Sequence, residues 1–371
     1  MKILVINPGS TSTKLAVYED DVPVWKQSIS HPAAELAPFQ HINEQYGYRR
    51  QHVLDALEQA GIPLQFDAII ARGGLLRPTP GGVYLIDEAI KHDLWHAGME
   101  HASNLAGLIA DELAAQIGCP AYVADPVVTD ELRDVARISG IPELPRISIF
   151  HALNSRAVSR KYAKRIGKKY EEMDLIVVHL GGGISISAHH RGKVVDVNNA
   201  LNGEGPFSPE RAGTLPARQL VDLCFSGKYS YDEIKKMING RGGLMAHLGT
   251  TDVPSVVRWA HAGGKKHKLV LEAMMYTVAK QVGAMHVALH GHTDAIIVTG
   301  GIAYNDYCIA LLREWVEGIA RIVVIPGEDE MEALAMNALG ALTGRLSLQP
   351  YHPEEQEKKT EELSVGFRIS K

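Results

Sequence analysis

The chain has 371 residues, of which 46% are hydrophobic and 22% charged, and this composition is typical of a folded globular protein of about two domains. Its formal net charge of −5 indicates no broad basic surface, so we expect no nucleic-acid partner. The N-terminal apolar run is short, and no stretch approaches the roughly 18 apolar residues of a membrane helix. We therefore expect no membrane partner. The isolated Cys119, Cys224 and Cys308 argue against disulfides and zinc, and for a reducing, cytoplasmic compartment.

The first twenty residues have the pattern of a strand, a tight turn and a second strand. Lys2 to Ile6 is an apolar, β-branched run, and Asn7 to Ser12 follows with small and polar turn residues. The N–H groups and hydroxyls of this turn, with Lys14 beyond it, suit an anion, which Gly9 allows to approach closely. An ordinary hairpin turn uses the same residue types, so these residues alone leave both interpretations open.

The same pattern recurs in the second half of the chain. Asp174 to Val195 is again strand, turn and strand, with Gly181, Gly182 and Gly183 in the turn, and it aligns with the first hairpin when Asn7 is placed on His179. Ala295 to Gly301 is a further strand that runs into paired glycines. The repeat indicates two similar halves around one nucleotide, although coincidence remains an alternative because strand-turn-strand units are common.

The remaining segments alternate between helix and strand patterns, which is typical of an α/β protein. Ser103 is the predicted N-cap of a helix that ends at Gly118. Other predicted helices span 48–60, 215–225, 231–238, 253–262, 266–290, 306–319 and 330–342. Further predicted strands span 66–71, 81–87, 121–124, 294–299 and 322–325. The predicted apolar face of the long helix consists of Leu269, Ala273, Tyr276, Ala279, Val282 and Met285.

A polar residue directly follows three apolar segments of the first half. Arg72 follows 66–71, Asp125 follows 121–124, and His151 follows the apolar stretch 147–150. Ligands of open α/β sheets lie at the carboxyl ends of strands, so these side chains are candidate site residues, although each is also compatible with a surface loop. The sequence contains no Walker P-loop, no dinucleotide fingerprint and no nucleophile elbow.

Taken together, nine motifs in one order resemble the acetate/butyrate kinase family over nearly the whole chain to about residue 345. They are NPGSTSTK (7–14), ARGG (71–74), EHASN (100–104), ADP (124–126), FHALNSR (150–156), HLGGGISI (179–186), SPERAG (208–213), TGGIAYN (299–305) and PGEDEMEALA (326–335). Each motif alone is weak evidence. Their number and their order make the resemblance specific.

The resemblance implies an α/β fold of two ribonuclease-H-like domains, as in actin-like ATPases, sugar kinases and heat-shock ATPases, with a nucleotide cleft between them. The N-terminal domain is expected at 1–148 and the nucleotide-binding domain at 149–328. The helix 329–345 is expected to return to the N-terminal domain, and 346–371 to form a charged tail. A homodimer or higher homo-oligomer is expected.

The reaction implied by the resemblance transfers the γ-phosphoryl group of ATP to a short-chain carboxylate, giving ADP and an acyl phosphate, and also runs in reverse. A carboxylate is already an anion at neutral pH, so the nucleophile requires no general base. The chemistry instead requires fixed cations and Mg²⁺ that bring two anions together and stabilise the transferring phosphoryl group.

The family resemblance assigns roles to individual residues. Arg72 and Arg211 are implied to bind carboxylate and phosphoryl oxygens, His151 to donate a hydrogen bond to the phosphoryl group, His101 to support this site, and Asp125 to orient an arginine or the metal shell. The implied Mg²⁺ residues are Asn7 and Glu330. The implied ATP/ADP residues are Asn7, Ser10, Ser12, Lys14, His179, Gly181, Gly182, Gly183, Gly300, Gly301 and Asn305.

Two positions depart from the acetate kinases that the sequence resembles. Those proteins commonly have Asn where this chain has Gly182, and a larger apolar residue where it has Gly74. We expect the missing side chain at Gly74 to leave room for a longer acyl chain, and thus to favour butyrate or isobutyrate over acetate. One methylene contributes only about 1–3 kcal/mol to selectivity, so neighbouring acids should also react.

Two other functional classes remain alternatives on this fold. One is an ATP-driven conformational module, and the other is a sugar or hydroxyl kinase in which Asp125 would act as the base. The paired arginines, suited to a small anion, and the lack of an added substrate-binding domain favour the acyl kinase.

Overall fold

The computed structural model describes residues 1–97, 101–355 and 358. The strands are β1 (Lys2–Pro8), β2 (Ser12–Glu19), β3 (Val22–Ser30), β4 (Ala68–Arg72), β5 (Val83–Leu85), β6 (Ala121–Ala124), β7 (Asp174–Leu180), β8 (Ile184–His190), β9 (Lys193–Val197), β10 (Ala295–Thr299) and β11 (Ile322–Val324). The helices are α1 (Ala33–Leu36), α2 (Tyr46–Gln59), α3 (Glu88–Trp95), α4 (Ser103–Ile117), α5 (Asp134–Arg137), α6 (Ala152–Arg165), α7 (Ala217–Cys224), α8 (Tyr231–Ile238), α9 (Gly243–Leu248), α10 (Val253–His261), α11 (Lys265–Ala288), α12 (Asp306–Val316) and α13 (Glu330–Leu342).

The chain divides into two compact units. Unit 1 contains 1–130, 152–154 and the described residues from 329 onward, and unit 2 contains 131–151 and 155–328. The change of unit therefore comes after Asp130, earlier than the predicted boundary at 148. Residues 131–151 belong to unit 2, where the Arg133 N–H donates to the Val195 carbonyl at 3.0 Å. Helix α13 packs on β1 and β4 of unit 1.

Unit 1 is built on a six-stranded sheet in the order β3-β2-β1-β4-β6-β5. Strands β1, β4 and β6 are parallel, while β2, β3 and β5 run antiparallel to their neighbours. The apolar run Ile3 to Ile6 in β1 is fully buried, as expected of a strand covered on both faces. Helices α4 and α13 pack on this sheet and place the N-terminus of α13 at the carboxyl end of β1.

Unit 2 repeats this topology in a five-stranded sheet with the order β11-β10-β7-β8-β9. Strands β7, β10 and β11 are parallel, and β7, β8 and β9 form the antiparallel part. Leu180 pairs with Ile184, whereas Pro8 pairs with Thr13 in unit 1, so the second turn is one residue shorter. Two units with the same strand order confirm the predicted pair of ribonuclease-H-like domains.

Two features of the fold differ from the local sequence patterns. The stretch 147–150 is not a strand, and Ile147 is half exposed, so His151 follows a loop. Helix α11 buries Val270, Met274 and Val278, while Leu269 of the predicted face is 67% exposed. Apolar residues occur on several sides of this helix, so its periodicity could not identify the face that packs on the sheet.

The predicted charged tail begins with a segment that packs on unit 1. The Gln349 N–H donates to the Val83 carbonyl at 2.8 Å, and Tyr351 is 7% exposed. Of the predicted tail, 346–355 and 358 are described and the other residues lie outside the described ranges, as does Glu100 of the EHASN motif. No helix in the described ranges has the length and apolarity needed to cross a bilayer.

Candidate active site

Three of the predicted site residues lie together at the carboxyl ends of neighbouring strands of the unit 1 sheet. Asn7 lies near the carboxyl end of β1, Arg72 is the last residue of the neighbouring β4, and Glu330 is the first residue of α13. The Glu330 carboxylate accepts a hydrogen bond from Asn7 Nδ2 at 2.8 Å and pairs with Arg72 Nη1 at 3.2 Å. The Arg72 side chain remains 26% exposed, so the guanidinium can also reach an anion in solution.

Asp125 occupies the carboxyl end of the next strand, β6. It adopts a left-handed backbone conformation with a φ of 40°, which is strained for a residue with a Cβ. The residue is 2% exposed, and Asn337 Nδ2 of α13 lies 3.5 Å from its carboxylate. The structure thus holds the Asp125 carboxylate in a buried position against α13.

His101 lies immediately before α4. Its Nδ1 is 2.7 Å from the Ser103 hydroxyl. Burial, together with the nearby charges of Arg72 and Arg49, lowers the pKa of His101, so the imidazole is neutral at neutral pH. The prediction that Ser103 caps α4 is wrong, since the cap position is Ala102 and Ser103 contacts the histidine instead.

The turn between β1 and β2 presents polar groups to solvent. The Gly9 N–H donates to the Ser12 carbonyl at 2.7 Å and closes the turn. Ser10 and Lys14 are exposed, and Ser12 is half-buried. The predicted phosphate-binding residues of this turn are therefore accessible to an anion.

In unit 2, two histidine rings form a parallel stack. The ring centroids of His151 and His179 are 3.7 Å apart and their planes differ by 6°. His151 Nδ1 is 2.9 Å from the Ser185 hydroxyl, and His179 Nε2 is 2.8 Å from a carboxylate oxygen of Glu328. His179 is fully buried at the end of β7, so the stack and Ser185 fix the orientation of the His151 ring.

Arg211 lies against the second glycine turn. Its Nη1 donates to the Ala200 carbonyl at 2.8 Å, and burial lowers its pKa from the usual value although the group stays protonated. A Cβ at Gly183 would overlap the Arg211 guanidinium, so a side chain at this position would displace the arginine. Gly182 is less constrained, because a Cβ there would meet only the Glu210 carboxyl, at 3.4 Å or more.

A cavity of about 430 Å³ opens beside this turn and has the size of a small-molecule site. Of the predicted nucleotide residues, Gly181, Gly182, Gly301 and Asn305 line it. Gly300 does not line the cavity. Its φ of 89° and its contact with the Leu180 backbone make it a residue that shapes the turn.

Sequence reasoning missed several residues of this cavity. The lining also contains Pro209, Glu210, Thr251, Asp252, Val253, Pro254, Ile302, Tyr304 and Glu328. Asp252 caps α10, with Pro254 inside the first turn. An aspartate shortly before a proline predicts a helix start, but nothing in that pattern indicates a ligand.

The structure contradicts the role expected for Gly74. A Cβ at this buried position would lie 2.7 Å from the Asn104 Cα and 2.8 Å from the Leu94 side chain. The space beside Gly74 is filled by α3 and α4, so the missing side chain leaves no room for an acyl group. Glycine is required here because the loop after β4 packs closely on α4.

Within the ranges that the structure describes, no group of three or more histidine, cysteine, aspartate or glutamate side chains is arranged to hold a metal ion. The pair of Asn7 and Glu330 offers fewer protein ligands than such a cluster.

Known proteins resemble this chain over almost its whole length. The model of the acetokinase family matches residues 146–322. The chain is 65% identical to a probable butyrate kinase of Phocaeicola vulgatus, over 95% of this chain and 100% of that protein. It is 48% identical to butyrate kinase 1 of Clostridium acetobutylicum, over 94% of this chain and 99% of that protein. The chain belongs to the acetokinase family.

Solved structures support this family assignment at the level of the fold. The crystal structure of Porphyromonas gingivalis acetate kinase matches with a TM-score of 0.74 and 18% identity, over 92% of this chain and 99% of that chain. A propionate kinase from Francisella tularensis matches with a TM-score of 0.71 and 20% identity, over 91% and 98% of the two chains. The chain therefore has the two-domain α/β fold of these proteins.

Proposed function

We propose that this protein transfers the γ-phosphoryl group of ATP to butyrate, giving ADP and butanoyl phosphate, and also catalyses the reverse reaction. The observation that carries the proposal is an identity of 48–65% with proteins named butyrate kinase or probable butyrate kinase, over at least 94% of this chain.

The chemistry depends on cations more than on a base. Butyrate is ionised at neutral pH, so its oxygen attacks the phosphorus without first losing a proton. The barrier arises from the approach of two anions and from the charge on the transferring phosphoryl group. A buried aspartate such as Asp125, 2% exposed, is therefore assigned to positioning and not to proton abstraction.

In this proposal the two arginines bind the oxygens of the reacting groups. Glu330 occupies one N–H of Arg72, and the Ala200 carbonyl occupies one of Arg211, which leaves donors of each planar guanidinium for carboxylate or phosphoryl oxygens. The buried Nε of Arg211 has no hydrogen-bond partner within the described part of the chain.

The histidines supply oriented hydrogen bonds. Ser185 contacts Nδ1 of His151, and we assign Nε2 as the atom that donates to the phosphoryl group. The lowered pKa of His101 keeps its ring neutral near Arg72, so it supports the site without adding another positive charge. His179 fixes His151 through the ring stack.

We propose that Mg²⁺ accompanies the nucleotide. Mg²⁺ prefers one or two carboxylates, and it completes its shell with water and phosphate oxygens. The Glu330 carboxylate, 18% exposed beside the Asn7 amide, fits this donor set, and these two residues would hold the ion directly or through water. The bound ion would neutralise phosphate charge.

The nucleotide is assigned to the glycine turns and the cavity. Ser10, Ser12 and Lys14 would contact phosphate groups from the first turn, and the segment 181–183 would do so from the second. The cavity lined by Gly301 and Asn305 would hold adenosine. Its volume of about 430 Å³ is in the range of small-ligand sites.

The decisive experiment is an ATP/Mg²⁺ assay in which acyl phosphate is trapped as hydroxamate. Acetate, propionate, butyrate, isobutyrate, valerate and isovalerate are compared at equal concentration. A maximum at butyrate supports the proposal, and a maximum at isobutyrate or isovalerate shows a branched-chain acid kinase. Folded protein that forms no acyl phosphate from any acid, or that hydrolyses ATP regardless of the acid, contradicts the proposal.

We also propose a cytoplasmic location and a homodimer or higher homo-oligomer, in line with the family resemblance. Light scattering coupled to size-exclusion chromatography tests the oligomer. A mass equal to the 40.5 kDa chain would contradict it.

A further inference from the structure

Arg49 is a charged residue at a core position. It lies on the buried face of α2 with Val53, Ala56 and Leu57, and it is 0% exposed. A charge taken out of water costs free energy unless polar partners compensate it. Burial lowers the pKa of Arg49 from its usual value, but a guanidinium remains protonated at neutral pH.

Two of the hydrogen-bond partners of Arg49 are backbone carbonyls of the first glycine turn. Nη1 donates to the Gly9 carbonyl at 3.0 Å, and Nη2 donates to the Ser10 carbonyl at 2.8 Å. Nε donates to the Gln45 side chain at 2.9 Å. Arg49 forms no ion pair with any carboxylate in the described ranges, so its charge is not neutralised there and lies directly behind the turn.

This contact fixes the direction of two peptide groups. The chain has no cis peptide bond among the described residues, and in a trans peptide the N–H points opposite to the C=O. Because the Gly9 and Ser10 carbonyls point toward Arg49, the N–H groups of Ser10 and Thr11 point away from it. Ser10 and Thr11 are both exposed, and within the described chain neither N–H donates a hydrogen bond. Successive N–H groups of this kind bind anions.

The next carbonyl of the turn is also held from the protein side. The His31 N–H donates to the Thr11 carbonyl at 2.8 Å. The carbonyls of three consecutive residues are thus bonded inward, and two of them depend on a single guanidinium. Lysine cannot replace this geometry, because an ammonium group has no planar fork.

We propose that Arg49 is a positioning residue of the phosphate site, which directs the N–H groups of Ser10 and Thr11 at a phosphate group and attracts that group by an uncompensated charge. Arg49 does not touch the phosphate. The inference rests on the proposed function in that the anion is taken to be a phosphate group of the bound nucleotide.

The test compares ATP with adenosine, since only ATP carries phosphate groups. Arg49→Met removes the fork and retains an unbranched chain that matches the aliphatic part of arginine, and Arg49→Lys retains the charge alone. Arg50→Met is the matched control, since Arg50 is adjacent on α2 but pairs with Glu112 at 2.7 Å. Calorimetry measures the Kd of Mg·ATP and of adenosine, and kinetics separate KM from kcat.

Both Arg49 variants should weaken ATP binding by about tenfold or more and raise the KM for ATP, while adenosine binding stays unchanged. Arg50→Met should alter neither ligand. Unchanged ATP binding in Arg49→Met, or wild-type ATP binding in Arg49→Lys, overturns the inference. If Arg49→Met loses adenosine binding as well, it has not folded, and Arg49→Lys decides.

The outcomes also separate this inference from the proposed function. A wild-type protein that binds ATP no more tightly than adenosine has no phosphate site, which overturns the inference. Weak ATP binding in the Arg49 variants, in a protein that phosphorylates no acid, supports the inference and contradicts the proposed function. Acyl phosphate formation that is equal in wild type and Arg49→Met contradicts the inference alone.

Discussion

Arg72 and Arg211 carry the same charge but are held in different ways. Arg72 pairs with the Glu330 carboxylate at 3.2 Å, whereas Arg211 is held by the Ala200 carbonyl and by the absence of a side chain at Gly183. The position of Arg72 therefore depends on a charged neighbour at 3.2 Å, whereas that of Arg211 depends chiefly on backbone, with the Glu210 carboxylate more distant at 3.9 Å. A substitution of Glu330 should therefore displace Arg72, whereas a side chain added at Gly183 should displace Arg211.

Replacing Arg72 by alanine should lower kcat/KM for butyrate by about 10²-fold or more, because a preorganised cation is lost where phosphoryl charge develops. Arg72→Lys should recover only part of the activity, since lysine keeps the charge but lacks bidentate geometry. Hydroxamate-trapped acyl phosphate measures both variants. Arg72→Ala with activity near wild type would remove Arg72 from the mechanism.

The buried His31 should make stability depend on pH. Burial, followed by the Arg49 charge, lowers the pKa of His31 to about 4, whereas an unfolded histidine titrates near 6.5. As the pH falls, the unfolded chain binds the proton first, so stability present above pH 6.5 is lost between pH 6.5 and about 4. The total effect of this group is at most about 3 kcal/mol.

Urea unfolding between pH 7.5 and 4.5 measures this effect. His31→Gln should flatten the dependence of the free energy of unfolding on pH, while the exposed His292→Gln should not. The buried His189, whose pKa burial lowers to about 3, contributes a slope of the same sign in all three proteins. An equal slope in wild type and His31→Gln would show that His31 does not carry the effect.

At the scale of elements, the two glycine turns occupy equivalent positions in the two sheets but are supported by different residues. The first turn is supported from behind by Arg49 and His31, and the second has an arginine packed against its third glycine. The second turn is also one residue shorter. The shared strand order therefore does not require shared side-chain support.

Adjacent glycines of the second turn provide a matched pair of substitutions. Gly183→Ala places a Cβ in the space of the Arg211 guanidinium, so the arginine must move, and kcat should fall by about 10²-fold. Gly182→Ala meets only the flexible Glu210 carboxyl, at 3.4 Å, and should have a much smaller effect. Steady-state kinetics with circular dichroism as the folding control test this. Equal effects of the two variants would contradict the proposed contact.

At the scale of the whole molecule, each unit has a core of its own. The unit 1 core contains Leu4, Ile69 and Leu105, and the unit 2 core contains Ile176, Met274 and Ile296. Tyr351 belongs to the unit 1 core, and its hydroxyl donates to the Asp93 carboxylate at 2.6 Å. The C-terminal segment therefore contributes to the stability of unit 1.

Tyr351→Ala should destabilise unit 1 by about 3 kcal/mol or more, through the lost aromatic packing and the lost hydrogen bond. Hydrogen exchange should show lower protection in β4 and α4 and unchanged protection in β7 and α11. Tyr229→Ala, at a 40% exposed site of unit 2, is the control. Protection in β4 and α4 that stays at the wild-type level would contradict this role of the C-terminal segment.

Local sequence patterns predicted many helices and strands well, because capping residues and apolar periodicity act over only a few residues. Helices α8 and α13 begin and end at the predicted residues, since Ser230 and Asp329 cap them and apolar residues recur at helical spacing. The sequence also showed the repeated hairpin, because two apolar runs with glycine turns indicate two similar sheets. Strand β3 was not predicted, because most of its residues are exposed and it lacks an apolar run.

Sequence motifs named Asn7, Arg72, Asp125 and Glu330 as site residues. A motif does not state how far apart two side chains lie in the folded chain. Glu330 contacts Asn7 and Arg72 only because α13 packs on β1 and β4. The structure brings Asn7, Arg72 and Glu330 into contact, and the resemblance offered no signal for the cavity residues 251–254.

Residue types and their local order thus fixed the elements, the repeat and the family of this chain. Packing alone decided that Gly74 faces Asn104, that Leu269 of α11 is exposed, and that Arg49 lies behind the first glycine turn. The physical reason is that capping, turn chemistry and periodicity act over a few residues. The neighbour of a side chain is set by the close packing of elements that are distant in sequence.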